Sequence, residues 1–148
     1  MNVSLRLYKG VVYLPTTYAI SAGFYFDHSP LESIPIEQPQ RLQQAIRAAL
    51  GRGNPLISGD EARAFSSSSD NPVLKAMGAR SWDALDRQTE GLWSLREKNA
   101  AYQIRVNRPM EPRGWHEDKT KRVQFPPGTP VDEAIARLIA MIQECAQQ

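Results

Sequence analysis

Val3, Leu5 and Leu7 alternate with Ser4, Arg6 and Tyr8 at the start of the chain. A repeat of two puts successive side chains on opposite faces, so this stretch reads as a half-buried strand. Lys9-Gly10 permits a turn, and the apolar, β-branched run from Val11 to Leu14 returns as a second strand. Pro15 lacks the N–H that a ladder needs, and is expected to stop this strand or hold it at an edge. Ala22 to Phe26 reads as a third strand, and Asp27-His28-Ser29-Pro30 as the turn that closes it.

The spacing then changes. From Pro39, Leu42, Ala45, Ile46, Ala49 and Leu50 fall on one stripe, with Arg41, Gln43, Gln44 and Arg47 opposite. That predicts an amphipathic helix, ended by Gly51 and Gly53. Asn54 to Asn71 reads as a long loop carrying the serine run Ser66 to Ser69. Ser81 suits the N-cap of a short helix through Arg87, with Asp83 in its first turn. Gly91 to Arg96 and Ala101 to Val106 read as two strands joined by Glu97-Lys98-Asn99, with Tyr102, Ile104 and Val106 on one face. Asn107 to Glu117 reads as irregular. Arg122 to Phe125 is a further strand, turned by Pro126-Pro127-Gly128.

The last helix has the clearest pattern. Thr129 is placed to cap it, Pro130 suits its first turn, and Asp132 approximates a capping box. Val131, Ala134, Ile135, Leu138, Ile142 and Cys145 form one apolar stripe. An internal echo accompanies it. Ile34-Pro35-Ile36 before the first helix matches Val123-Gln124-Phe125 before the last. Ile34 and Val123 stand 89 residues apart, as do Ala45 and Ala134. The expectation is a single α+β domain over residues 1–148. It is a mostly antiparallel sheet packed by two amphipathic helices, with two similar β-β-α halves.

Composition adds limits. At 148 residues and 41% hydrophobic content the chain can bury a core without disulfide or metal. Cys145 is the single cysteine, so no intramolecular disulfide forms. Its place on the inner stripe suggests a buried thiol, and a reducing compartment fits. Met1 to Tyr13 lacks the basic and long apolar regions of a signal peptide, and no stretch approaches the length of a membrane span. A cytoplasmic location and no membrane partner are expected. The formal net charge is only +2, yet Arg96 to Arg122 holds eight basic residues against four acidic ones. Such an excess suits the solvated face of a strand pair. With Trp93, Tyr102 and Trp115 as stacking platforms it would suit nucleic acid, but the alternation of Tyr102 and the apolar setting of Trp93 favour core packing instead.

Catalytic candidates are sparse. Asp27-His28 offers a base and a partner, but in an exposed turn. His116, Glu117 and Asp118 are consecutive, so they cannot converge on a metal without a special turn. The serine run has no nucleophile elbow, and no phosphate-cradling glycine motif is present. No catalytic residue, cofactor-binding residue or metal ligand is therefore assigned.

Gly78-Ala79-Arg80-Ser81-Trp82, Trp93, Tyr102-Gln103-Ile104 and Arg113-Gly114-Trp115 follow one another in the second half. Val123-Gln124-Phe125-Pro126 and Ala134-Ile135-Ala136-Arg137-Leu138 complete the series. This order resembles the immunity proteins of bacterial contact-dependent growth inhibition systems, over Met77 to Ile142. In the first half only the early strands and the Leu42–Leu50 helix agree in order. The resemblance implies a small cytoplasmic α+β protein that binds the C-terminal toxin domain of a cognate surface effector. Such toxins are often nucleases, frequently acting on tRNA. Protection is stoichiometric, with no enzyme activity and no cofactor.

Covering a basic nuclease groove calls for acidic groups. Asp60, Glu61, Asp70, Asp83, Asp86 and Glu90 are the available set. Alternatively an aromatic and arginine surface with Arg105, Arg108 and Arg113 meets an acidic toxin face. The rival functions are a small nucleic-acid-binding module using the Arg96 to Arg122 surface, and a small hydrolase using His28 or His116.

Overall fold

The computed structural model describes residues 1–67, 71–111 and 114–148. Asp70 of the acidic set and Arg113 of the basic stretch lie outside the described residues, as do Ser68 and Ser69 of the serine run.

β1 (Asn2–Tyr8) and β2 (Val11–Ala19) form a hairpin around Lys9-Gly10, both with positive φ, 49° and 73°. Two successive left-handed residues match the right-handed twist of the flanking strands. β3 (Tyr25–Pro35) pairs with the other side of β2. Farther along, β4 (Gly91–Lys98) and β5 (Ala101–Pro109) repeat the tight hairpin, with Asn99 and Ala100 at φ 54° and 60°. The turn falls later than expected because Glu97 and Lys98 still pair with Tyr102 and Ala101.

Pro15 does not stop β2, which runs on to Ala19, but the ladder with β1 ends at Tyr13, so at Pro15 only the β3 side is paired. β2 lies between β1 and β3, and its register with β3 shifts between Pro15 and Thr16. Leu31 faces Pro15 and His28 faces Thr16, so Ser29 and Pro30 between them bulge out unpaired. Thr16 Oγ1 donates to the Pro30 carbonyl (2.7 Å) and the Tyr18 hydroxyl to the Ser29 carbonyl (2.6 Å). The residues expected to form a turn thus make a bulge within a strand, where a proline is tolerated. The reversal comes earlier, where Ile20 N–H donates to the Phe24 carbonyl and Gly23 takes φ 88°. β3 therefore begins at Tyr25 rather than Ala22.

α1 (Pro39–Arg52) buries the expected stripe of Leu42, Ala45, Ile46, Ala49 and Leu50, and ends at Gly53. α5 (Val131–Ala146) buries Ala134, Ile135, Leu138, Ile139 and Ile142. Thr129 does not cap α5. Its hydroxyl donates to the Pro126 carbonyl (2.7 Å), Pro130 takes the cap position, and Asp132 pairs with Arg47 of α1.

The segment read as a loop contains α2 (Gly59–Ser67) and leads into α3 (Pro72–Ala76). Ser58 and Glu61 cap α2 reciprocally, each side chain bonding the other's backbone N–H. Asn71 caps α3 by accepting from Val73 N–H at 2.8 Å. α4 (Trp82–Gln88) starts at Ser81, whose Oγ accepts from Ala84 N–H at 3.1 Å, as expected. The stretch read as irregular is partly strand. β5 continues to Pro109, and β6 (Trp115–Glu117) pairs back onto it. β7 (Val123–Gln124) pairs with the other end of β5.

The fold is α+β, with a seven-stranded antiparallel sheet in the order β3-β2-β1-β4-β5-β6 and β7 also on β5. At the centre β1 runs against β4, with Val3 opposite Leu95, Leu5 opposite Trp93 and Leu7 opposite Gly91. The order is symmetric about this seam: first, second and third strands lie outward on each side. The internal echo extends to the whole unit, since each half runs three strands and then a helix. In the second half the third strand is split into β6 and β7.

α1 and α5 pack side by side on one face of the sheet. That inner face holds the main core, including Leu5, Leu7, Leu14, Ile34, Trp93, Leu95 and Ile104 against Leu42, Ile46, Ile135, Leu138 and Ile142. A second, smaller cluster of Val73, Leu74, Met77 and Leu85 packs against Tyr8, Tyr13 and Trp82. It covers only one end of the outer face, the end nearest the β1–β2 turn.

Two predictions follow from backbone geometry. A Cβ at Gly91 would stand 2.1 Å from the Trp93 ring, so Gly91→Ala lowers stability by about 1–3 kcal/mol through overpacking, measured by denaturant unfolding. Ala100 holds a left-handed conformation that glycine adopts freely, and Asn-Gly is the preferred pair in this turn. Ala100→Gly is expected to leave stability unchanged or to raise it by up to roughly 1 kcal/mol.

Candidate binding face

The strand alternation that sends Val3, Leu5 and Leu7 inward sends Ser4 and Arg6 outward. The ladders bring more outward residues beside them. Ser4 lies opposite Ser94, Ser94 opposite Arg105, Asn2 opposite Arg96, and Asn107 opposite Glu117. Thr17 on β2 lies opposite Asp27 on β3. These residues line an open cavity of about 230 Å³ on the outer face, with Tyr25 at its rim. Small hydroxyl residues, Ser4, Thr17 and Ser94, form its floor, and arginines and carboxylates form its walls.

Each charged group has a distinct environment. Asp27 accepts from Ser4 Oγ at 2.9 Å and from Thr17 Oγ1 at 3.0 Å. Arg6 pairs with Asp86 on α4 at 3.3 Å, which ties that helix to the sheet. Glu117 accepts from Arg122 through Nε and Nη2, at 2.6 and 2.8 Å. This fork, with Arg105 nearby at 3.9 Å, holds the Glu117 carboxyl below its ordinary range. Arg96 differs. Among the described residues it makes no ion pair, and its Nε, like that of Arg6, is buried with no hydrogen-bond partner; its guanidinium lies 5.9 Å from the centre of the Tyr25 ring. Burial, then the like charge of Arg105, lowers its affinity for the proton.

The groove continues into an exposed apolar end of the sheet. Phe24 is 64% exposed, Tyr25 40% and Leu56 72%. The chain around them is fixed by backbone bonds. Ala19 N–H donates to Pro55 O and Ile57 N–H to Ala19 O. Asn54 adds three contacts, accepting from Asn2 N–H and donating to the carbonyls of Asn2 and Thr17, all within 2.8 Å. Large apolar side chains exposed on a held backbone are a candidate protein-binding surface.

A larger opening of about 630 Å³ lies on the other side, between β5–β7 and α5, and includes Trp93, Val106, Met141 and Cys145. Of its basic residues, Arg122 is held by Glu117, and Arg108 donates to His116 Nε2. Cys145, expected as a buried thiol, is half-buried at this opening; burial, then the charge of Glu90, pushes its pKa up.

The acidic set is distributed over several elements. Asp60 pairs with Arg63, and Glu61 caps α2. Asp83 and Asp86 border one shallow pocket beside α4. Glu90 accepts from Lys9 N–H at 2.6 Å. The basic stretch is divided too. Arg96 and Arg105 face the groove, while Arg108 lies one residue out of phase with Arg105 along β5.

His28 is in β3, stacked on Phe65 with ring centres 4.0 Å apart, and burial lowers its pKa. Asp27 is engaged with Ser4 and Thr17 on the opposite side of that strand, so it does not orient the imidazole. Among the described residues no three of His, Cys, Asp or Glu are placed to share a metal ion. Nor, among the described residues, is any helix long and apolar enough to cross a membrane.

Ser4, Arg6, Thr17, Tyr25, Ser94 and Asn107 were not singled out from the sequence. Their signal was present only as the polar half of each strand's alternation. Which polar halves meet depends on strand order.

No family model and no curated protein matches the chain. A solved structure described as a protein of unknown function from Neisseria meningitidis is similar. It aligns with a TM-score of 0.66 at 14% identity, covering 98% of this chain and 92% of that one. The likeness is one of fold.

A carboxylate whose pKa is depressed on folding adds stability above its unfolded pKa, and this is lost as pH falls through the folded value. Glu117 is such a group. Arg122→Gln is expected to move the Glu117 titration up toward that of an ordinary glutamate, followed by carboxyl NMR. It should also weaken the acid-side loss of stability.

Proposed function

We propose that this chain is an immunity protein. It binds the C-terminal toxin domain of a cognate contact-dependent growth inhibition effector in the cytoplasm and neutralises it by forming a stoichiometric complex. The toxin is a nuclease, with tRNA as its expected substrate. The immunity protein itself turns nothing over and uses no cofactor.

The observation that carries this reading is the fixed, exposed end formed by Phe24, Tyr25 and Leu56 beside the arginine-lined groove. Aromatic and arginine side chains are enriched where protein interfaces concentrate their energy. The bonds made by Asn54 and Ala19 hold this end in place before binding, which reduces the entropy lost on association. The resemblance of the Met77–Ile142 stretch supplies the class of partner.

The test uses the C-terminal domain of the effector encoded by the neighbouring gene. Co-expression is expected to restore growth, and the purified proteins to form a 1:1 complex. Phe24→Ala with Leu56→Ala is expected to weaken that complex by roughly 10- to 100-fold while the fold is kept. A chain that neither binds nor protects rules out the immunity reading. RNA binding that persists at about 150 mM salt would favour the nucleic-acid module instead.

A further inference from the structure

We infer that the groove on the outer face is a socket for one acidic side chain of the protein partner, with Arg96 as its anchor and Arg105 as a second cation. This rests on the immunity reading, since it takes the partner to be a protein.

Charge pairing within the groove leads to it. Glu117 is engaged by Arg122, Asp27 by two hydroxyls, and Arg6 by Asp86. Arg105 donates to Gln103 at 2.7 Å and keeps only a 3.9 Å approach to Glu117. Arg96 makes no ion pair and no side-chain hydrogen bond with another described residue; the Glu117 charge acts on it only at longer range, and it lines the open cavity. A guanidinium that lacks an ion pair and borders open space can receive a counter-charge from outside. A carboxylate fits a guanidinium in two-pronged geometry. Tyr25 lies beside the Arg96 guanidinium and limits its freedom before anything binds.

The shape of the site agrees. Serines and a threonine at the floor leave about 230 Å³ open above them, room for the end of an aspartate or glutamate. The Ser94 hydroxyl makes no hydrogen bond to another described residue and lies opposite Arg105 across the ladder. It is a free donor for the second carboxylate oxygen.

The walls also select against a polyanion. Asp27 and Glu117 remain in the lining, so three arginines face two carboxylates. That suits a single negative charge. A nucleic-acid backbone would bring several phosphates against both acids. The adjoining Phe24, Tyr25 and Leu56 further fit the apolar surface of a folded protein around that side chain.

The experiment titrates the intact chain and its variants against the C-terminal domain of the neighbouring effector, with thermal melts to confirm folding. Arg96→Gln is expected to weaken binding at least 30-fold, chiefly through faster dissociation, and Arg105→Gln by less. Arg96→Lys should recover part of the loss. Arg87→Gln, at an exposed position on α4, should change nothing. Exchanging one partner acid for arginine should restore binding to Arg96→Glu.

Wild-type binding that survives Arg96→Glu within twofold overturns the socket and leaves the immunity reading intact. Absence of wild-type binding overturns both. Wild-type binding of a single-stranded RNA at about 150 mM salt, abolished by Arg96→Glu, would assign the groove to nucleic acid and overturn the inference.

Discussion

The antiparallel seam of β1 against β4 is the constraint on which the rest of the molecule depends. Leu5 opposite Trp93 and Val3 opposite Leu95 place both hairpins on one sheet and turn their apolar sides toward α1 and α5. A slip of one residue would invert every side chain on the strand that moved. The same register therefore fixes the other side of the sheet. Ser4 stands beside Ser94, and Arg96 beside Asn2, because their neighbours in sequence, Val3, Leu5, Trp93 and Leu95, belong to the core. The groove and the core are two faces of one pairing, and neither can change alone.

The forces that hold the two faces differ. The inner face is secured by apolar burial, and the exposed pair between Arg47 of α1 and Asp132 of α5 adds little to it, as surface pairs generally do. The outer face is secured by hydrogen bonds and by local charge matching. α3 and α4 cover it with a small apolar cluster at one end and leave the other end open. Asn54 then joins the backbones of β1 and β2 where their ladder has ended. A polar side chain does there what a strand pair does elsewhere, and it steadies the exposed end of the sheet.

Much of this was legible in the residues. The alternation of Val3, Leu5 and Leu7, the stripes of α1 and α5, and the Ser81 cap all appear as the spacing predicts, because each is set by local periodicity. The echo between the halves was also visible, since helix and extended segment keep a constant offset. Misreadings arose where a local preference met a tertiary one. Pro15 and Ser29-Pro30 look like terminators, yet both strands run on past them, because the register shifts beside Pro15 and lets Ser29 and Pro30 bulge out. α2 and α3 are too short for a repeat to stand out. The groove was not legible, because its residues are scattered from Ser4 to Glu117 and meet only through strand order.

The bulge in β3 has a consequence for the sheet as a whole. β3 is one outer strand, and Ser29, Pro30 and Pro35 interrupt its free margin. The other is split between β6, three residues long and paired at its start with Pro109, and β7, two residues long. A sheet with open, regular margins invites further strands and grows by recruiting copies of itself. Here both margins are short or broken, which disfavours such growth. Contact with another molecule is directed to its faces and ends.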